Sequence, residues 1–225
     1  MTGGSVFSYP ALVRLWISDT TKWLGLFTSG LALQLLLIQD LGADQTDLGL
    51  VKSAQWLPML LFGLLAGVLI DRVRRLPVLV AGDAVCAVAF GAIGVLGLTG
   101  HLTVPLVAGL MFVVGLASLS ATAAHQSFLP RLVPVSELPR ANARIEQSMT
   151  AAESVGPLLA GVLVRALSAP VAILVNAGTY AVSAVVLSTI RVREPAPASR
   201  ADRHLGRELA EGARWVYRHR TLMPY

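Results

Sequence analysis

The sequence is poor in charge and in cysteine. Of its 225 residues, 14% are charged and one, Cys86, is a cysteine. A single cysteine excludes an intrachain disulfide and a cysteine metal cluster, so Cys86 is expected to be a small buried apolar residue. With 55% hydrophobic residues and a mean hydropathy of +0.67, the composition also excludes an ordinary water-soluble domain. It predicts an integral membrane protein.

Enzyme signatures are missing as well. The chain has no HExxH, no GxSxG, no Walker A loop and no paired metal-binding acids on one face of an apolar run. Ser118, Ser120 and His125 lie close together in sequence, but nothing orients them as a catalytic triad. We therefore expect no catalytic residues, no cofactor and no metal. The N-terminus lacks the basic segment and cleavage site of a secretory signal, so the first apolar run is expected to stay in the mature protein.

Long apolar runs fill most of the chain. Six of them approach or exceed the roughly 20 residues that a helix needs to cross a hydrocarbon core. The connections between them are short, which predicts antiparallel neighbouring helices. The fold class is thus all-α, with six transmembrane helices, predicted at residues 12–38, 48–70, 76–99, 104–124, 143–164 and 171–190.

The basic residues alternate between the two sides of these runs. Fifteen of the eighteen Lys and Arg residues fall at the start of the first run, in or beside the second and fourth connections, or after the sixth run. Cytoplasmic loops collect basic residues, so both termini are predicted to be cytoplasmic in a cytoplasmic (inner) membrane. The net charge of +5 therefore reflects orientation, and no nucleic-acid partner is expected.

The composition changes after residue 190, so we divide the chain into a transmembrane bundle, residues 1–190, and a cytoplasmic segment, residues 191–225. The segment begins with the linker REPAPASRADR and continues with HLGRELAEGARWVYRHR, whose apolar residues recur at helical spacing. This pattern predicts an amphipathic helix, either on the membrane surface or solvated as a linker.

A hexapeptide and two stripes of small residues relate the second and fifth helices. LLAGVL occurs at residues 64–69 and at residues 158–163, which favours an inverted repeat of helices 1–3 and 4–6. The second helix has Gly63 and Gly67 four residues apart, and the fifth has Ala152, Gly156 and Ala160 at the same interval. Such stripes indicate close helix contacts, either within the bundle or at an interface that moves against another half.

Two motifs carry a resemblance to a known family. The second connection contains Gly67, Asp71, Arg72 and Arg75 in the stretch GVLIDRVRR, and helix 5 contains Gly156-Pro157 followed by Gly161. The first resembles the loop signature of the major facilitator superfamily, and the second resembles the antiporter signature of its exporters. FLPRLVPVSELPRANARIEQS also resembles a prokaryotic exporter subgroup that includes siderophore and macrolide efflux proteins.

The resemblance implies a function and roles for these residues. It implies the N-terminal six-helix half of a twelve-helix exporter, in which Asp71, Arg72 and Arg75 form a cytoplasmic gate with the other half. Positive-inside orientation alone also explains the arginines, but it does not explain Asp71. The chain departs from the family pattern at Arg74, which replaces a loop glycine, and at Ala152, which replaces a helix 5 glycine.

Polar residues inside the apolar runs are further candidates, since a central charge costs roughly 2.5 to 3.5 kcal/mol to insert. Asp19 and Lys22 lie one turn apart, as either a structural ion pair or cavity groups. Glu146 and Glu153 share a face of helix 5, and a buried Glu can carry a coupling proton; Glu153 is the first candidate. Asp83 is a candidate for the cavity or for the gate network. The amides of Asn176, Gln34 and Gln55 either line a cavity or form interhelical hydrogen bonds.

Together these features predict a secondary active transporter that exports a small amphipathic molecule in exchange for protons. Its expected partners are that substrate, protons, the lipid bilayer, and a C-terminal six-helix half or a second copy. The alternative is a truncated, non-transporting membrane protein or interaction module whose basic segment docks a partner or anionic lipid. The reading frame beyond Tyr225 discriminates between the two hypotheses.

Overall fold

The computed structural model describes residues 9–70 and 73–192, and the regular structure in these residues is helical. Six long α-helices follow one another, as the sequence predicts. They are α1 (Pro10–Leu35), α2 (Gln45–Ile70), α3 (Arg75–Leu98), α4 (Val104–Phe128), α5 (Leu138–Ala166) and α6 (Ala169–Ser188). The predicted segment 193–225, with its linker and amphipathic helix, lies outside the described residues, as do Asp71 and Arg72.

Short irregular helices extend two of these elements. α1 continues as a π-helical turn, Leu36–Asp40, and two 3-10 turns, Leu129–Arg131 and Val135–Glu137, join α4 to α5. The main difference from the predicted boundaries is the start of α5, five residues earlier than expected. A proline in its first turn favours that start, because proline lacks only an amide hydrogen that has no intrahelical partner there.

Four helices in the described part of the chain are long and apolar enough to cross a membrane. These candidate spans are Pro10–Asp40, Arg75–Leu98, Val104–Arg131 and Ala169–Ser188. The all-helical membrane architecture is therefore confirmed. That α2 and α5 also span the membrane stays a prediction.

Consecutive helices run antiparallel, and their ends gather in two apolar clusters. One cluster contains Leu15 near the start of α1, Phe128 at the end of α4 and Leu187 near the end of α6, with residues from the end of α2 and the starts of α3 and α5. At the same end of the bundle, Arg14 Nη1 donates to the carbonyl of Thr189 across 2.6 Å. The arginine-rich ends of the helices therefore lie together.

The second cluster gathers the opposite helix ends. It includes Leu36, Val51, Ile93, Val107 and Ile173. Across the bundle, α1 packs on α5 and α6, α4 packs on α2 and α3, and α3 packs on α6. The stacked rings of Phe90 and Tyr180, 5.6 Å apart, join α3 to α6.

Two glycines allow the backbones of neighbouring helices to approach closely. A methyl group added at Gly115 of α4 would collide with the carbonyl oxygen of Gln55 in α2. A Cβ at Gly156 of α5 would lie 2.5 Å from Phe27 Cβ in α1. These contacts bring α4 onto α2 and α5 onto α1, as small residues do where membrane helices pack.

The contact at Gly156 corrects one interpretation of the α5 stripe. Ala152, Gly156 and Ala160 are all buried, and the stripe packs on α1 of the same chain. It is therefore not a free face for sliding against another half. Spacing alone places small residues on one face of a helix, but it does not say which neighbour that face meets.

Alanine at Gly156 and at Gly161 should have opposite effects on stability. We expect Gly156→Ala to cost about 1 to 3 kcal/mol, because its Cβ overlaps α1. Gly161→Ala should stabilise by up to about 1 kcal/mol, since nothing lies within 4 Å of its added Cβ. Thermal unfolding in detergent, followed by labelling of the single buried Cys86, measures both. Equal midpoints for the two variants would contradict the α1–α5 contact.

Candidate functional site

A cavity of about 380 Å³ opens between α1, α3, α4, α5 and α6. Most of its wall is apolar, but five aspartate, glutamate, lysine or histidine side chains reach it. They are Asp19, Lys22, Asp83, His125 and Glu146. We call this space the Asp19 cavity, and we call Asp19, Lys22, Asp83 and His125 the charge cluster.

Asp19 is the centre of the charge cluster. Its Oδ1 lies 3.3 Å from Lys22 Nζ, one turn later in α1, so the ion pair expected from the sequence is present. Its Oδ2 lies 2.7 Å from His125 Nε2, which comes from α4. Asp19 is 3% exposed, so both of its oxygens are satisfied by protein groups rather than by bulk water.

Lys22 extends the cluster to α3 and α6. Its Nζ lies 3.5 Å from Asp83 Oδ1, and the hydroxyl of Ser183 donates to Asp83 Oδ2. Ser183 also shares a 2.6 Å hydrogen bond with Ser18 of α1. One polar network thus joins α1, α3, α4 and α6, which an apolar interior tolerates because its members pair with one another.

A second cavity, of about 460 Å³, shares Leu26 with the Asp19 cavity as a lining residue. It is formed mainly by α1 and α2, and its polar lining includes Gln34, Lys52 and Gln55. We call it the Lys52 cavity. The two predicted cavity amides, Gln34 and Gln55, therefore do line a cavity.

Asn176 takes the other expected role, an interhelical hydrogen bond. Its Nδ2 donates to Ser29 Oγ across 2.8 Å and joins α6 to α1. A similar contact joins α1 to α5, where Trp16 Nε1 donates to Ser148 Oγ across 2.6 Å. Hydrogen bonds as well as packing thus hold α1 against α5 and α6.

The predicted proton-binding acids are separated by the structure. Glu146 borders the Asp19 cavity, whereas Glu153 is exposed and lines neither cavity. Asp83 lies with Lys22 in the charge cluster. Of the candidate coupling residues, the Asp19 cavity therefore brings together Asp19, Lys22, Asp83 and Glu146, but not Glu153.

The predicted gate is described only in part. Gly67 lies in the last two turns of α2, and Arg75 begins α3. Arg75 is 8% exposed, and its Nη1 donates to the Val73 carbonyl across 3.2 Å. Asp71 and Arg72 are outside the described residues, so the gate stays a prediction. In the α5 motif, Gly156 is buried, whereas Pro157 and Gly161 are exposed.

Sequence reasoning missed His125 as a partner of Asp19. The two residues are 106 positions apart, and their contact depends on how α4 packs beside α1. The available signal was a histidine at the end of an apolar run, which marks a functional suspect without naming its partner. Within residues 9–70 and 73–192, no three His, Cys, Asp or Glu side chains are grouped to hold a metal ion.

Removing Lys22 should destabilise the bundle, because two buried carboxylates would lose their common partner. We expect Lys22→Met to lower the free energy of unfolding by about 3 to 5 kcal/mol. Adding Asp83→Asn to Lys22→Met should restore part of the loss, since one carboxylate is then neutral. Lys52→Met at an exposed position is the matched control, with an expected change within about 0.5 kcal/mol. Denaturant unfolding in mixed micelles measures all three, and equal losses in the two lysine variants would contradict the pairing.

Comparison with known proteins agrees with this architecture. The family described as the Major Facilitator Superfamily matches residues 15–222. An uncharacterized MFS-type transporter, y4rN, from Sinorhizobium fredii is 35% identical over 175 residues. The match covers 77% of this chain and 42% of that protein, so this chain matches less than half the length of the curated relative. The Major Facilitator Superfamily is a family of transporters and not an enzyme class. The present chain is a multi-pass membrane protein that belongs to this family.

Proposed function

We propose that the chain is the N-terminal half of a secondary active transporter that exports a small amphipathic molecule in exchange for protons. The observation that carries the proposal is the charge cluster, which lies among apolar helices and borders a cavity. Buried ionisable groups in membrane helices are costly and typically mark pathways for substrates or protons. The substrate is of the drug or siderophore type that the exporter-like motifs imply.

The six helices form two inverted repeats of three in this proposal. Its support is the set of packed pairs, α1 with α5 and α6, α4 with α2 and α3, and α3 with α6. If α1 is exchanged with α4, α2 with α5 and α3 with α6, the same set of packed pairs results. A pseudo-two-fold axis in the membrane plane has that property, and all six helices then cross the membrane.

The missing half completes the transport pathway. The relative y4rN is more than twice as long as the stretch that matches this chain. Large apolar side chains on α2 and α5 stay exposed, with Leu60 82% and Leu158 71% accessible. A C-terminal six-helix half or a second copy, together with lipid, would cover them, and the cavity would open alternately to each side.

Both termini are cytoplasmic in the proposed orientation. The arginine-rich ends of the helices gather at one end of the bundle, where Arg14 contacts the end of α6. The positive-inside rule assigns that end to the cytoplasm, in an inner membrane. The connection with Asp71, Arg72 and Arg75 then faces the cytoplasm, where it is suited to latch onto the other half.

Neutralising Asp71 tests the latch. In vesicles with the full-length transporter, we expect Asp71→Asn to lower export by about tenfold or more, because a charge-assisted bond contributes roughly 1.5 to 3 kcal/mol. Ethidium, a macrolide and a catecholate siderophore serve as probes. Asp40→Asn, at an exposed position in the α1–α2 connection, is the control and should transport normally. Undiminished export by Asp71→Asn would contradict the proposed role of Asp71 in holding the two halves together.

The coupling proton binds in the Asp19 cavity rather than at Glu153. Glu153, the acid that the sequence favoured, is exposed and lines neither cavity, which makes it the weaker candidate. Normalised to folded protein, Glu153→Gln should keep proton-driven export within about twofold of the parent, whereas Asp19→Asn should lose about tenfold or more. A larger loss of export in Glu153→Gln than in Asp19→Asn would contradict this assignment and favour Glu153 as the proton-binding residue.

A further inference from the structure

The Lys52 cavity carries a positive charge that no described acid balances. Among the described residues that line it, Lys52 is the one charged side chain, beside the polar Ser29, Gln34 and Gln55. Lys22 in the neighbouring cavity pairs with two carboxylates, whereas Lys52 forms no ion pair with an acid that the structure describes. A cation without a counter-charge attracts an anion. A ligand with a negative charge would supply the partner.

Three side chains that can donate hydrogen bonds meet at this cavity. Lys52 and Gln55 lie one turn apart, so they share a face of α2, and Gln34 reaches the same space from α1. None of these three side chains is hydrogen-bonded to another residue in the described part of the chain, whereas Ser29 already accepts a bond from Asn176. Ammonium and carboxamide N–H groups are donors, and a carboxylate is an acceptor. An organic anion therefore matches the polar part of the wall.

The rest of the wall suits an apolar body. Phe27 of α1 and Trp56 of α2 contribute two aromatic rings. Phe90 of α3 and Met111 of α4 also line the cavity and are only 2% and 1% exposed, so the space reaches from the exposed Lys52 into the interior of the bundle. Its volume of about 460 Å³ lies within the range of small-molecule sites, roughly 300 to 1,000 Å³. The cavity thus fits an amphipathic molecule with one charged end.

The position of Lys52 favours a ligand over a role in orientation. α2 begins at Gln45, so Lys52 lies about 10 Å along the helix axis from that end. In the proposed orientation this is the external end, whereas the positive-inside rule places basic residues at the cytoplasmic end. A lysine within a membrane helix is costly and typically marks a substrate or ion pathway. Orientation therefore does not explain Lys52.

We propose that the Lys52 cavity binds the anionic group of an amphipathic substrate, a carboxylate or a similar singly charged acid. Lys52 supplies the positive charge, the amides of Gln34 and Gln55 donate hydrogen bonds to the anionic oxygens, and the apolar body packs on Phe90 and Met111. The inference rests on the proposed transport function, for which it names the substrate class. The head group of an anionic lipid has similar chemistry, but the depth of the cavity favours a molecule that inserts between the helices.

Binding to the purified full-length protein in detergent tests the inference. The probe is radiolabelled flurbiprofen, an aromatic carboxylate, and its primary amide is a neutral molecule of nearly the same shape. We expect the parent to bind the carboxylate about tenfold or more tightly than the amide, because Lys52 attracts only the charged molecule. Lys52→Met should lose that preference and bind the amide within about twofold of the parent, whereas Lys52→Arg should keep it. Equal affinities of the parent for the two molecules would overturn the anion site.

Arg165→Met is the matched control, because Arg165 is exposed near the end of α5 and lines neither cavity. The end of α5 and the start of α2 pack in the same apolar cluster, so this variant removes a positive charge from the same end of the bundle. It should keep the preference for the carboxylate. A loss as large as that of Lys52→Met would assign the effect to the general charge of this end and overturn the assignment to Lys52.

Two further measurements separate a substrate from a lipid. Phosphatidylglycerol added to the micelles should leave the affinity for flurbiprofen within about twofold, and competition by this lipid would overturn the substrate class. In vesicles, the parent should export flurbiprofen, and Lys52→Met should need about tenfold more of it for the same rate. Binding without export, by a protein that still exports ethidium, would also overturn the substrate class. No export of any probe would contradict the proposed transport function, while the anion site would stand on the binding data.

Discussion

The ion pairs of Lys22 with Asp19 and Asp83 are the interaction on which the rest of the bundle depends. Two carboxylates lie among helices that are otherwise apolar, and each has an oxygen within 3.5 Å of the same ammonium group. In a low-dielectric interior, such charges persist only if they are paired and hydrogen-bonded. The pairing therefore fixes the rotation of α1 relative to α3, and the hydroxyls of Ser18 and Ser183 extend the constraint to α6.

Close packing acts together with this network. Hydrophobic burial gives little drive for helices to associate within lipid, so contact area and hydrogen bonds have to supply it. Gly115 and Gly156 let two helix pairs approach to backbone distance, and both lie on helices that also border the Asp19 cavity. α1 takes part in both the close packing and the polar network, since Gly156 packs against it and it carries Asp19 and Lys22. It also supplies several lining residues to each of the two cavities.

The sequence predicted the helices well and their contacts poorly. Apolar runs separated by short polar connections locate six helices within a few residues, because a helix has to satisfy its own backbone in lipid. The start of α5 was placed late because its first two turns, LPRANARI, are polar. The Asp19–Lys22 pair was predictable, since both residues lie one turn apart on one helix.

The rest of the candidate site depends on contacts between residues that are far apart in the sequence. His125 and Asp83 reach Asp19 and Lys22 from helices far along the chain, and no spacing rule connects them. The partner of the α5 stripe was not predictable either, because residue spacing defines a face but not its rotation in the bundle. The positions of Glu146 and Glu153 relative to the cavity were not predictable for the same reason, since a difference of two turns decides which carboxylate reaches it.

The Asp19–Lys22 pair also has a consequence for biogenesis. Helices enter the membrane in the order of synthesis, and α1 enters before α3, α4 and α6 exist. At that stage, neither Asp83 nor His125 is available, and the one counter-charge within reach of Asp19 is Lys22 on the same helix. The pair thus lets α1 insert as a nearly neutral segment. The ammonium group of Lys22 then pairs with a second carboxylate, that of Asp83, when α3 packs beside α1.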